Sequence, residues 1–124
     1  MFTDAALMIT DGGIVALFYD DLGCLQIVEC KAISATTPLE DELLAIKMGL
    51  NRAISRGWKN CRVYSDCMVA VRAIFFEILN LSLALNNFYV NWISRTFNSV
   101  ADKVSKWVLQ TRLRQGRPKV YGGP

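Results

Sequence analysis

The sequence predicts an α/β domain in which a mixed five-stranded sheet carries helices, in the order β-β-β-α-β-α-β-α. Three observations predict it. The first third of the chain is a series of apolar, β-compatible runs broken by a turn. At Thr37 the apolar spacing changes from strand-like to helical. From there short apolar runs alternate with helical patterns, as strand–helix crossovers onto a shared sheet require.

Met1–Met8 is apolar and β-compatible, Gly13–Tyr19 is a continuous apolar run, and Leu25–Ser34 alternates loosely. Asp20-Asp21-Leu22-Gly23 reads as the turn between the last two, so the three form an antiparallel meander. Thr37-Pro38-Leu39-Glu40 is a capping box with proline at the first helical position. Leu39, Leu43, Ile46, Leu50 and Ile54 make one stripe, and Gly57 supplies the stop. Cys61–Ser65 is a short strand, Asp66 opens a helix to about Leu79, and Phe88–Ser94 reads as a strand. Asn98 or Ser99 caps a last helix to about Gln110, with Val100, Val104, Trp107 and Val108 inward. Residues 1–110 read as one domain. Residues 111–124 read as a flexible basic tail; Arg112–Pro124 alone holds four bases, two prolines and three glycines.

Composition narrows the chemistry. With 124 residues, 52% hydrophobic, the chain has ample material for a core. No apolar stretch approaches the 18 or so residues that cross a bilayer, so no membrane partner is expected. No basic n-region follows Met1, and an intracellular protein is expected. There is no histidine, which removes Ser-His-Asp and Cys-His catalysis and imidazole-based zinc sites. Cys24, Cys30, Cys61 and Cys67 form no C-x-x-C pair and are expected as free thiols in or near the core. Residues 1–45 carry eight acids and one base, whereas residues 46–124 carry thirteen bases and three acids. That asymmetry suits a polyanion gripped by cations and worked on by carboxylates, although an unevenly charged surface would give the same balance.

Four acids fall at informative places. Asp4 interrupts an apolar strand; its alternative is an edge position facing water. At 100° per residue Glu42 lies about 80° from the centre of the helical stripe, where it can look along the sheet, while Asp41 points away and Glu40 serves the capping box. Asp66 ends a strand where open α/β sheets place ligands, with plain N-capping as its alternative. Asp102 lies in the first turn of the last helix, where the helix dipole alone would favour it. Four converging carboxylates would require cations, and all-oxygen ligands select Mg²⁺, or Mn²⁺, over zinc. Two such ions about 4 Å apart suit phosphodiester hydrolysis.

Several strings in order carry a resemblance: Phe2-Thr3-Asp4-Ala5, Ser34 through Ala45, Tyr64-Ser65-Asp66, Arg95, and Asn98-Ser99-Val100-Ala101-Asp102-Lys103. Across residues 1–106 the chain resembles the ribonuclease H superfamily, most closely the plant ribonuclease H-like domains found alone and in retroelement-derived proteins. The resemblance implies a ribonuclease H-like fold, from which the chain departs in a shortened connection before the last strand. It also implies endonucleolytic hydrolysis of the RNA strand of an RNA–DNA hybrid, leaving a 3′-hydroxyl and a 5′-phosphate. By the same resemblance Asp4, Glu42, Asp66 and Asp102 hold two Mg²⁺ ions, for which Mn²⁺ substitutes, with Asp4 and Asp66 central. The chain departs from the family in lacking a mobile-loop histidine, in having Trp92 where plant domains often have histidine, and in having three residues before Asp4.

Two other functions stay open. A non-catalytic nucleic-acid-binding module would grip phosphates through Arg95, Lys103, Lys106, Arg112 and Arg114. A protein-interaction domain on the same fold would use Trp58, Phe75 and Phe76.

Overall fold

The computed structural model describes residues 1–8, 11–58, 60–77 and 87–116. Strands β1 (Phe2–Leu7), β2 (Asp11–Tyr19) and β3 (Leu25–Ser34) are followed by α1 (Pro38–Ser55), β4 (Asn60–Ser65) and α2 (Met68–Glu77). Then come β5 (Asn87–Trp92), a 3-10 turn over Arg95–Asn98, and α3 (Ser99–Gly116). Among the described residues the predicted element order and the mixed five-stranded sheet are both present; the connection before β5, expected to be shortened, lies outside the described residues.

The strands lie in the order β3-β2-β1-β4-β5. The meander β1–β2–β3 is antiparallel, and β4 is parallel to both β1 and β5. Two faces are covered. Phe18, Ala16 and Val63 pack with Leu43, Ile46 and Leu50 of α1 and with Ala70, Val71 and Ile74 of α2. Val15 and Leu17 pack with Ala101 of α3. A strand covered on both sides must be apolar throughout, which is why Gly12–Phe18 is an unbroken buried run.

Helix α1 forms as its sequence dictates. Thr37 Oγ1 accepts the Glu40 amide at 3.2 Å, Pro38 fills the first turn, and the predicted stripe is the buried face. Gly57, at φ +74°, ends it: its amide bonds the Ile54 carbonyl, and the Trp58 amide reaches back to Ala53. These two bonds are a Schellman motif, which needs the left-handed conformation that glycine adopts freely.

Several expectations are corrected. Asp41 does not point away; it is buried, and its carboxylate accepts the Thr36 amide and hydroxyl because the preceding loop folds over the first turn. Helix α2 begins at Met68 rather than Asp66, with the Cys67 carbonyl taking the Val71 amide. Helix α3 runs to Gly116, past Gln110, and takes in the backbone of Arg112 and Arg114; the tail from residue 117 lies outside the described residues. Val108 is inward, but Val100 and Trp107 are exposed, and Ala101, Ser105 and Leu109 are the buried partners instead. The reason is distance. A Cβ on Gly13 would stand 2.6 Å from the Ser105 carbonyl oxygen and 2.9 Å from the Leu109 amide, so the helix backbone itself seats on β2 along its 105–109 side. Cys24 and Cys30 are exposed, on the hairpin and edge strand, while Cys61 and Cys67 are buried or half-buried; all four are free. Trp58 is half-buried on the Phe18 ring, and the side chains of Phe75 and Phe76 lie outside the described residues. No described helix is long and apolar enough to cross a membrane.

Candidate metal centre

β1 and β4 pair at Phe2–Tyr64 and Thr3–Ser65. The next residue on each is an acid, Asp4 and Asp66. β1 takes its antiparallel partner on one side and its parallel partner on the other, so this is the switch point of the sheet, where α/β folds open a crevice. Asp4 pairs with Val15 and so looks to the α3 side, whereas Glu42 enters from α1 on the opposite face. One carboxylate oxygen from each of Asp4, Glu42 and Asp66 lies within 4.8 Å of the other two.

The surroundings make this group costly without a counter-charge. Asp4 is 4% exposed, and burial pushes its carboxyl up to about 7, against the hydrogen bond from Ser105 and with added repulsion from Asp66 and Asp102. Burial likewise pushes Glu42 up to about 8, with repulsion from Asp4 and Asp66 adding to it and Arg95 opposing. Glu42 Oε1 is buried with no hydrogen-bond partner. The Asp66 side chain is 3% exposed, and its Oδ2 lies 3.8 Å from Arg95 Nε and 3.4 Å from Asn98 Nδ2.

Residues 3–76, more than half of the chain, match the reverse transcriptase-like family. The chain belongs to that family. No curated protein matches its sequence significantly. Among solved structures it is similar to LC11-RNase H1, isolated from compost by a metagenomic approach and solved in complex with an RNA/DNA hybrid: 20% identity, TM-score 0.80, covering 90% of this chain and 96% of that one. RNase H1 of the halophilic archaeon Halobacterium salinarum aligns at 14% identity and TM-score 0.78, over 89% and 96% of the two chains. The N-terminal RNase H domain of a Mycobacterium tuberculosis protein aligns at 17% identity and TM-score 0.76, over 92% and 94%. At such identities the likeness is one of fold, and the fold of this reverse transcriptase-like chain is ribonuclease H-like.

The donor set fits a hard divalent ion: three carboxylates, one with an unpartnered buried oxygen, and neither sulfur nor imidazole among them. Asp102 stands apart. It is near enough to raise Asp4, but its Oδ2 is held by Lys106 Nζ at 3.0 Å and it is not among the three clustered acids. Of the predicted phosphate-gripping residues, Arg95 is 81% exposed at the rim of the acidic group, Lys103 is exposed on α3, and Lys106 is paired with Asp102. The side chains of Arg112 and Arg114 lie outside the described residues.

Sequence reasoning missed two partners of the acids and misread a third. Ser105, fully buried, places its Oγ 2.9 Å from Asp4 Oδ2; a lone serine in a helix gives no sequence signal. Trp92 donates its indole N–H to the Asp66 carbonyl at 3.0 Å. Asn98, expected as a cap, instead donates its amide to the Thr3 carbonyl at 2.8 Å, tying the entry of α3 to the central strand.

Proposed function

We propose that this chain is an endonuclease that hydrolyses the RNA strand of RNA–DNA hybrids with two divalent ions, Mg²⁺ or Mn²⁺. The observation that carries the reading is the meeting of Asp4, Glu42 and Asp66, from three separate elements, in one crevice of a ribonuclease H-like fold. Asp4, Glu42 and Asp66 would hold the ions, with Asp102 completing the set when its carboxylate leaves Lys106. Divalent ions held by these acids would supply Lewis-acid chemistry, making a water more acidic and offsetting negative charge on a phosphate.

The chain's own groups do the rest. Arg95 leans on Asp66 from an exposed position, so its guanidinium is placed to take a phosphate of the substrate strand once the acids are otherwise neutralised. Lys103 adds a second exposed cation on α3, next to Asp102 in sequence. Water oxygen attacks the phosphorus, the bond to the 3′-oxygen breaks, and a 3′-hydroxyl and a 5′-phosphate result.

A second reading is a non-catalytic nucleic-acid-binding module, and the Asp102–Lys106 pair favours it, because the fourth acid is engaged elsewhere. Cleavage of a labelled RNA–DNA hybrid with Mg²⁺ and then Mn²⁺, beside Asp66→Asn, separates the two. Metal-dependent cleavage lost in the variant supports the nuclease. Salt-sensitive binding of hybrid with no cleavage supports the module, since phosphate contacts release counterions.

A further inference from the structure

Helix α3 turns Ala101, Ser105, Val108 and Leu109 into the protein. Three are apolar; the fourth is a hydroxyl with no accessible surface. A buried hydroxyl costs free energy unless it is bonded, and a helical serine usually satisfies itself on its own helix. Ser105 has that option, since its Oγ is 2.9 Å from the Asp102 carbonyl oxygen. It has another at the same distance, Asp4 Oδ2. One hydroxyl carries one proton, and a carboxylate is the stronger acceptor. Alanine would fill this position with better helix propensity, so the helix itself has no use for the hydroxyl.

The contact depends on how deeply α3 is seated. Gly13 of β2 leaves room for the helix backbone: a Cβ there would meet Ser105 O at 2.6 Å and Leu109 N at 2.9 Å. The glycine thus brings Ser105 within reach of a carboxylate on the neighbouring strand.

We propose that Ser105 is a positioning residue for the cation site: its hydroxyl, donated to Asp4 Oδ2, stops that carboxylate turning about its Cβ–Cγ bond and so sets the affinity of the three-acid group for a divalent ion. The inference rests on the reading of that group as a metal centre. Removing a donor that orients a metal-binding carboxylate costs on the order of 10–100-fold in metal affinity.

The test titrates the full chain with Mn²⁺ alone, counting free ion by electron paramagnetic resonance, for the natural chain, Ser105→Ala and Ser105→Cys. The cysteine variant keeps the size with a weak donor and serves if the alanine variant fails to fold. Both are expected to raise the Mn²⁺ Kd by about tenfold or more with an unchanged circular dichroism spectrum. Hybrid cleavage should then fall at limiting Mn²⁺ and recover at saturating Mn²⁺. Equal Kd in the folded variants and the natural chain overturns the proposal and leaves the metal centre standing. A rate that saturating Mn²⁺ fails to restore also overturns it, because the hydroxyl would then act through the fold. A natural chain that takes up no Mn²⁺ overturns both readings together.

Discussion

Helix α1 is closed at both ends by bonds made within its own segment, Thr37 at the start and Gly57–Trp58 at the finish, and it lays a stripe of leucine and isoleucine on the sheet. Helix α3 is the same length, 18 residues, but little in its own sequence tells which way it faces. Two residues of the expected inward stripe, Val100 and Trp107, are 51% and 60% exposed, and what fixes it is a glycine on β2, a serine to Asp4 and an asparagine beneath its first turn. One helix is placed by local rules and burial, the other by close approach and buried polar bonds. Each sends an acid toward the site, and the same difference shows there: Glu42 of α1, half-buried, joins the group, while Asp102 of α3 is held outside it by Lys106.

The sharpest way to break this contrast is at the acids. Glu42→Gln is expected to lower hybrid cleavage by roughly a thousandfold, about 4 kcal/mol of transition-state stabilisation, and Asp102→Asn by clearly less. Initial rates at saturating Mg²⁺ decide it, and equal losses would show that Asp102, once freed from Lys106, counts as much as Glu42.

Packing comes next. Leu50→Ala on α1 should cost about 2–5 kcal/mol in urea unfolding, since Leu50 is completely buried between the helix and the sheet.

The pH dependence separates the site from its frame. Asp4 and Glu42 titrate higher in the folded chain, near 7 and 8, than the ordinary 3.8 and 4.5. Between those values the native state holds more protons than the unfolded one, so metal-free stability falls as pH rises from about 4 to 8. Thermal melting in chelator should show this slope, Mg²⁺ at pH 8 should raise the midpoint, and Glu42→Gln should flatten the curve.

Smaller effects test the helix ends and faces. Thr37→Ala should cost about 1 kcal/mol through loss of the cap. Trp107→Ser should stay within about 0.5 kcal/mol, because its ring lies on the surface. A large loss at Trp107 would overturn the assignment of the buried face of α3.

How much was legible follows the same division. The strand meander, the start, stripe and stop of α1, and the element order were all readable, because each rests on residues next to one another in sequence. So was the choice of Glu42 over its two acidic neighbours, since a helical wheel separates them. Asp41 was misread because the loop that buries it is not part of any wheel. The orientation of α3 was misread because periodicity ranks residues by size and apolarity, whereas the helix is seated by backbone contact at Gly13 and by buried polar bonds. Four acids were expected to converge and three do; the hold of Lys106 on Asp102 was not foreseen, although the two are one helical turn apart.

The central place of β1 has a consequence for synthesis. β1 is made first, pairs with β2 at once, and then keeps one edge open until β4 arrives about 60 residues later. At about 5–20 residues per second a ribosome leaves that edge bare for roughly 3–12 s. Phe2–Leu7 is a largely apolar strand whose open edge presents unpaired backbone groups to other chains, and its sole charge is Asp4. That one charged side chain, on an open strand edge, works against pairing with other chains.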